Sequence, residues 1–279
     1  MAARRRAAAL VVAAGLIGGL AACGGSSHRA GPSPSPSTAS PSPTGARPTD
    51  RSPRGVMLSS ALELQSARRA KFSYQFTGPA ATDVDSADGV LFWAPRTVMQ
   101  LTHTTPGATD QLIVLDTVAY QGGDAATAAK LGGKHWQKTD ETTGPDGRPE
   151  IPFSTLIDQI NPLYAVTAAA AAPDLQLLGE EKVGDASTEH YQATVTVADY
   201  AAAQQALLTP ARSQALAGAL SQGGVTTLTL DLWLNDKDQP VQLHLLGSGS
   251  QGTLEHTVDY SDYGGAFAVQ APAESDTQD

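Results

Sequence analysis

The stretch TLTLDLWLNDKDQPVQLHLLGSGSQGTLEHTVDY, residues 227–260, decides the fold. Leu228, Leu230, Leu232 and Leu234 alternate with Thr227, Thr229, Asp231 and Trp233. Beyond the turn from Asn235 to Gln239, Val241, Leu243 and Leu245 alternate with Gln242 and His244. In a third run Leu254, His256, Val258 and Tyr260 alternate with Thr253, Glu255, Thr257 and Asp259. Successive side chains on a strand point to opposite faces, so a period of two gathers the leucines on one side. Three such runs joined by short turns form an antiparallel meander with one apolar face. An apolar sheet face has to be covered, and the helices that precede the meander are the available cover.

Working back from the meander, Phe153 to Ile160 reads as a helix. Asn161-Pro162 is an N-cap followed by proline at the first helical position, opening a helix from Leu163 to Ala172. Asp174 to Val183 and Ser187 to Val197 form a hairpin around Gly184-Asp185. Asp199 is read as the cap of a short helix reaching Leu208, and Thr209-Pro210 opens another to about Ser221. At the start, Met57 to Arg69 is predicted helical, with Leu58, Ala61, Leu62 and Leu64 apolar. Lys71 to Thr77 then alternates, with Phe72, Tyr74 and Phe76 on one face. Further strands are expected at Val90 to Trp93, Thr97 to His103, Gln111 to Leu115, Val118 to Gln121 and His135 to Lys138, followed by a polar loop from Asp140 to Glu150. The class is α+β with antiparallel strands.

The N-terminus has a separate organisation. Arg4, Arg5 and Arg6 precede an uncharged apolar run from Ala7 to Gly19. That run is short for a membrane-spanning helix, which needs about 20 apolar residues, and it fits the core of a signal peptide over residues 1–22. Leu20-Ala-Ala-Cys-Gly24 follows, with small residues before the chain's single cysteine. This pattern resembles the lipobox of bacterial lipoproteins, which implies cleavage between Ala22 and Cys23 and lipidation of Cys23. Two acyl chains anchor firmly, because each buried methylene contributes about 0.8 kcal/mol. The 32 residues from Gly24 to Gly55 include seven prolines and no aromatic residue. A segment of that composition cannot bury enough surface to fold, so residues 23–55 are read as a lipidated cysteine and disordered tether. Residues 56–279 are read as one domain.

Composition then excludes several functions. One cysteine cannot build a disulfide framework or a cysteine-rich zinc site. The whole chain carries −10, but the leader and tether hold seven of the arginines. From Val56 onward 11 basic residues face 27 acidic ones, a charge near −16. Nucleic acid is therefore not an expected partner.

Catalytic and metal patterns are weak. Gly247-Ser-Gly-Ser-Gln-Gly252 has the spacing of a dinucleotide loop, but a strand follows it where that chemistry needs a helix. Asp83, Asp85 and Asp88 sit close together, yet the calcium-loop spacing fails at Ala87. The histidines at 28, 103, 135, 190, 244 and 256 form no zinc motif, and His244 and His256 fall on opposite strand phases. Glu180 and Glu181 point to opposite faces, while Asp236 and Asp238 read as solvated turn residues. No catalytic residue, metal site or cofactor is assigned, and an enzyme is not expected.

The strand-rich start, helical middle and meander end resemble the LppX/LprG-type lipoproteins of actinobacteria, relatives in fold of the LolA/LolB carriers. The resemblance is carried by the lipobox at Cys23 and by Lys134-His-Trp136 after the hairpin bearing Tyr120. It extends through Leu178-Gly-Glu-Glu-Lys-Val-Gly184 before His190-Tyr191, through Asp231-Leu-Trp-Leu-Asn235, and through Tyr260-Ser-Asp-Tyr-Gly264. It implies a strongly curved antiparallel half-barrel with helices across the concave face. It also implies a cavity for acyl chains between sheet and helices. By strand phase Phe72, Tyr74, Phe76, Leu228, Leu230, Leu232 and Leu243 are the candidate lining. Ala168 to Ala172 and Ala201 to Ala203 are small enough to leave space against the sheet, or to let helix and sheet close up with no void. Two functions stay open. One is a membrane-anchored extracytoplasmic carrier of a lipid or glycolipid. The other is a tethered module that contacts an envelope protein or cell-wall component.

Overall fold

Ser52 starts the first helix: its side chain accepts from the Gly55 amide at 3.2 Å, and Pro53 occupies the first turn. In the computed structural model, residues 50–78, 85–105, 108–139, 143, 144, 147 and 149–279 are described. The expected signal peptide, Ala22, Cys23 and the tether up to residue 49 lie outside the described residues, as do Asp83 and parts of the loop from Asp140 to Glu150. The described residues, from Asp50 onward, belong to one unit.

The chain runs through α1 (Pro53–Ala67), β1 (Arg69–Thr77), β2 (Ser86–Phe92), β3 (Val98–Thr105), β4 (Ala108–Leu115) and β5 (Val118–Gly122). Next come α2 (Ala125–Lys130), β6 (Trp136–Thr139), α3 (Ser154–Ile160), α4 (Pro162–Ala171), β7 (Gln176–Val183) and β8 (Ala186–Thr196). Then follow α5 (Val197–Ala203), α6 (Pro210–Leu220), β9 (Thr227–Leu234), β10 (Pro240–Gly249), β11 (Gly252–Ser261) and β12 (Thr277–Gln278). The strands make one 12-stranded sheet in the order β12-β6-β5-β4-β3-β2-β1-β11-β10-β9-β8-β7. Every described pairing is antiparallel except β12 with β6. The end strands β12 and β7 do not meet, so the curved sheet stays open as a half-barrel.

Register explains the core. Leu232 pairs with Leu243, Leu230 with Leu245, Leu243 with Val258, and Tyr74 with Val258 across the next interface. One face of β1, β11, β10 and β9 is thus continuously apolar, as the alternation requires. α4 lies across β8, β9 and β10, while α1 packs on α4. The Tyr260 hydroxyl donates to the Ile160 carbonyl at 2.8 Å, tying β11 to the α3–α4 junction. Trp93 Nε1 donates to the Leu64 carbonyl at 3.0 Å and holds the far end of α1. Gly89 lets β2 pass beneath Phe72: a Cβ there would sit 2.8 Å from Phe72 Cζ and 2.2 Å from the Gln100 carbonyl oxygen.

Three local readings are corrected. Residues 53–55, assigned to the tether on composition, form the first turn of α1 because Ser52 and Pro53 start the helix there. The buried side of α1 is Val56, Met57, Ser60 and Leu64, whereas Leu58 and Leu62 face outward at 55% and 59% exposure. α5 is capped by Thr196, whose hydroxyl accepts from the Asp199 amide at 3.0 Å, and it ends at Ala203. The helix α2, capped by Asp124, was not expected; at six residues it has too little length for a periodic signal.

Candidate functional site

The alanine runs in the helical cover border open space. The C-terminal turn of α4 brings Ala168, Ala171 and Ala172 opposite Ala202 and Ala203 of α5, with Val195 of β8 beneath them. Between these walls lies a crevice of about 470 Å³. Its mouth carries Thr194, Thr196 and Asp199. Larger side chains at the alanine positions would bridge the gap, so side-chain size creates this space.

A buried polar set ties the covering helices to one another. Gln204, fully buried after the end of α5, donates from Nε2 to the Tyr164 carbonyl at 2.9 Å and to the Tyr200 carbonyl at 3.1 Å. It thereby ties α4 to α5. Below it, Asp158 of α3 is 1% exposed and accepts from Arg212 of α6, through Nε at 3.2 Å and through a second guanidinium nitrogen. Burial pushes the Asp158 carboxyl up to about 6, with Arg212 and Tyr164 opposing the shift. Burial likewise raises the phenols of Tyr164 and Tyr200 above their ordinary value. The crevice lining combines the apolar Ala, Val and Pro side chains with Thr194, Thr196, Asp199 and Thr227.

The seven residues chosen by strand phase share one buried face. Phe72, Tyr74 and Phe76 run along β1 with ring centroids 6.1 and 4.6 Å apart, and Phe76 stacks on His256 at 3.8 Å. Leu228, Leu230, Leu232 and Leu243 are at most 2% exposed in the same core. Phe72 also borders an open crevice of about 460 Å³ between β1, β2 and β11. The rim residues Thr194, Thr196 and Asp199 were missed, although the Thr196-x-x-Asp199 spacing is visible in sequence.

The histidines separate as their phases require. His256 is 3% exposed in the core, and burial lowers it to about 4. His244 lies on the outer face with Nε2 at 2.9 Å from Glu255 Oε1. That face also holds an arrangement the sequence did not disclose. His190 Nε2 lies 2.8 Å from Asp231 Oδ1, its Nδ1 lies 3.1 Å from Glu181 Oε1, and its ring stacks on Trp233 at 4.3 Å. Asp238 corrects another expectation. It is 1% exposed rather than solvated, accepting from Arg51 at 2.8 and 3.0 Å and from the Ser59 hydroxyl at 2.6 Å. Among the described residues no group of three or more His, Cys, Asp or Glu is placed to hold a metal ion. No described helix is long and apolar enough to cross a membrane. The Gly247–Gly252 segment is the end of β10, a tight turn and the start of β11, so no helix follows it to receive a phosphate.

No protein-family model matches the sequence. An uncharacterised 31.2 kDa protein of Streptomyces griseus is 31% identical over 216 residues, covering 68% of this chain and 67% of that protein. A putative lipoprotein of Streptomyces coelicolor is 26% identical over 208 residues, covering 69% of this chain and 63% of its own length. The match therefore spans about two thirds of either relative. Among solved structures, the Mycobacterium tuberculosis lipoprotein LppX superposes with a TM-score of 0.50 at 13% identity, over 78% of this chain and 98% of that one. At that identity the likeness concerns the fold: the open curved sheet and helical cover expected from the resemblance are those found. The chain thus belongs to the family of the uncharacterised 31.2 kDa Streptomyces griseus protein, built on the LppX-type fold.

Proposed function

We propose that this chain is an extracytoplasmic lipoprotein, cleaved before Cys23 and anchored through it, whose domain takes up a hydrophobic ligand in the alanine-lined crevice. The crevice carries the reading. Its volume of about 470 Å³ falls in the range of roughly 300–1,000 Å³ typical of small-molecule sites. Its apolar lining is Ala168, Ala171, Ala172, Pro173, Val195, Ala202 and Ala203, and Gln204 joins α4 to α5 beside it. Binding would rest on apolar contact, worth about 25 cal/mol per Å² removed from water. A lipid or glycolipid fits, with acyl carbon inside and the polar end at Thr194, Thr196 and Asp199. The lipobox, the similarity to a putative lipoprotein and the LppX-type fold support the same reading. No reaction or cofactor is required.

The test is to purify the full chain from membranes and identify co-purifying lipid by mass spectrometry. Ala202→Phe narrows the mouth from an exposed position and leaves the core untouched. The chain should retain a lipid class beyond its own anchor, and Ala202→Phe should retain severalfold less. Equal lipid on both, or none on either, would overturn binding in the crevice. Anchoring is read separately: radiolabelled palmitate should enter the chain and be lost in Cys23→Ser.

A further inference from the structure

α1 carries two leucines that its fold does not use. Leu58 and Leu62 are one turn apart on the outer side, at 55% and 59% exposure, while Val56, Met57, Ser60 and Leu64 face inward. Isolated exposed leucines are ordinary; a pair stacked at i and i+4 on a fixed helix is a stripe. Arg54 continues that stripe one turn earlier, and Arg68 caps the helix at its other end. Both arginines are exposed, and among the described residues neither takes a carboxylate partner. The helix is rigidly placed. Arg51 and Ser59 bind Asp238 at its start, and Trp93 binds the Leu64 carbonyl near its end.

Charge makes this surface unlike the rest of the domain. Along α1 and into β1, Arg54, Arg68 and Arg69 are opposed in sequence by Glu63, while at the start of the helix Asp50 packs against Gly55 and Arg51 is taken up by Asp238 and Glu189; the domain as a whole is near −16. Other basic residues are offset: Lys138 approaches Asp279 at 3.5 Å, and Lys134 lies beside Ser275 and Asp276. The other exposed leucine pair, Leu177 and Leu178 on β7, adjoins Glu180 and Glu181. The position of α1 in the chain matters as well. It is the first described element, and 26 residues lie between Cys23 and Asp50. At roughly 3 Å per residue that length spans tens of ångströms, enough for α1 to reach the surface that holds the anchor.

We propose that the outer face of α1, formed by Arg54, Leu58 and Leu62, docks on the anionic lipid surface of the anchoring membrane; the inference rests on the anchoring at Cys23 proposed above. The leucines would enter the headgroup boundary, and Arg54 and Arg68 would meet phosphates at either end. A second copy is a poorer occupant. An antiparallel pair of α1 helices would set Arg54 of each against Arg68 of the other.

The single cysteine makes the test direct, because a lipidated Cys23 leaves no free thiol. The full lipidated chain is labelled with a spin probe at Leu58→Cys or Leu62→Cys, with Ser250→Cys in the β10–β11 turn as reference. It is reconstituted in vesicles of phosphatidylcholine with phosphatidylglycerol, and in phosphatidylcholine alone. Probes at 58 and 62 should lose access to a water-soluble relaxant severalfold on the anionic vesicles. The loss should shrink in high salt or without phosphatidylglycerol, and the probe at 250 should not change. If the chain floats with the vesicles and the probes at 58 and 62 stay open, the docking is wrong and the anchoring stands. If the chain does not float with them, anchoring and docking both fall. Shielding that needs no vesicle and grows with protein concentration would assign the face to a second copy and overturn the proposal.

Discussion

His256 shows what one buried residue does to a pH profile. Its ring is stacked on Phe76 and buried at 3% exposure, so burial holds its pKa near 4 against an ordinary 6.5. The unfolded chain takes up this proton at about 6.5 and the folded chain only at about 4. The contribution to stability is therefore complete above about pH 6.5 and is lost as pH falls toward 4, approaching about 3 kcal/mol. Asp158 acts in the opposite sense. Its folded pKa is raised to about 6, so its contribution is present below 3.8 and lost as pH rises through about 6. The two slopes oppose each other in the window they share. His256→Leu removes one of them. Urea unfolding at about pH 4.5 and 7.5 should show the variant gaining about 2 kcal/mol relative to wild type at the lower pH. A difference independent of pH would mean that the ring is not held neutral in the core. Sequence phase put His256 on the leucine side, but only the packing showed the aromatic stack that surrounds it.

At the scale of elements, the outer face of the sheet is tied together by carboxylate–imidazole contacts. Glu181, His190, Asp231, His244 and Glu255 come from β7, β8, β9, β10 and β11 in turn. Asp231 is central: His190 lies 2.8 Å from Oδ1, Gln192 donates to the same oxygen at 2.9 Å, and His244 lies 3.7 Å from Oδ2. Its side chain is 11% exposed, against 48% for Glu255. Removing Asp231 leaves half-buried donors without an acceptor, so Asp231→Ala should cost about 2 kcal/mol. Glu255→Ala removes a solvated partner and should cost less than about 0.5 kcal/mol. Chemical denaturation of both variants at neutral pH checks the contrast; equal losses would refute the central role of Asp231. None of this was legible in sequence, because partners such as His190 and Asp231 are 41 residues apart and meet only through strand register. The β7 edge shows the same limit. The turn at Gly184-Asp185 marks a hairpin, but the β7 ladder shifts register between Leu177 and Gly179, and Glu180 and Glu181 lie exposed on this edge strand. Both features discourage pairing with a further strand.

For the molecule as a whole, the helical cover does two things. It closes the core over the leucine face, and at the α4–α5 seam it leaves the alanine crevice. A ligand seated there binds the folded chain alone, so it raises stability by mass action. At a hundredfold excess over Kd the gain is about 2.7 kcal/mol, worth roughly 5–10 °C in Tm for a domain of this size. Chain purified with its lipid should melt that much above chain stripped by organic extraction and refolded. The gap should close in Ala202→Phe. Identical melting of loaded and stripped chain would count against the crevice as a binding site.

The sequence by itself determined the meander, the hairpins, the capped helices α4 and α6 and the α+β class, because alternation, turn residues and N-caps act over a few neighbours. It also isolated the alanine runs, without deciding whether they enclose space or remove it. Only the tertiary structure decided that they border a crevice, that Leu58 and Leu62 face outward, that Asp238 is a buried anchor for α1, and that His190 and Asp231 meet. Each of these depends on which elements pack together. Helical periodicity on α1 is compatible with either side facing inward until α4 and the sheet select one. A turn aspartate is solvated unless a distant arginine and serine reach it, as Arg51 and Ser59 do here.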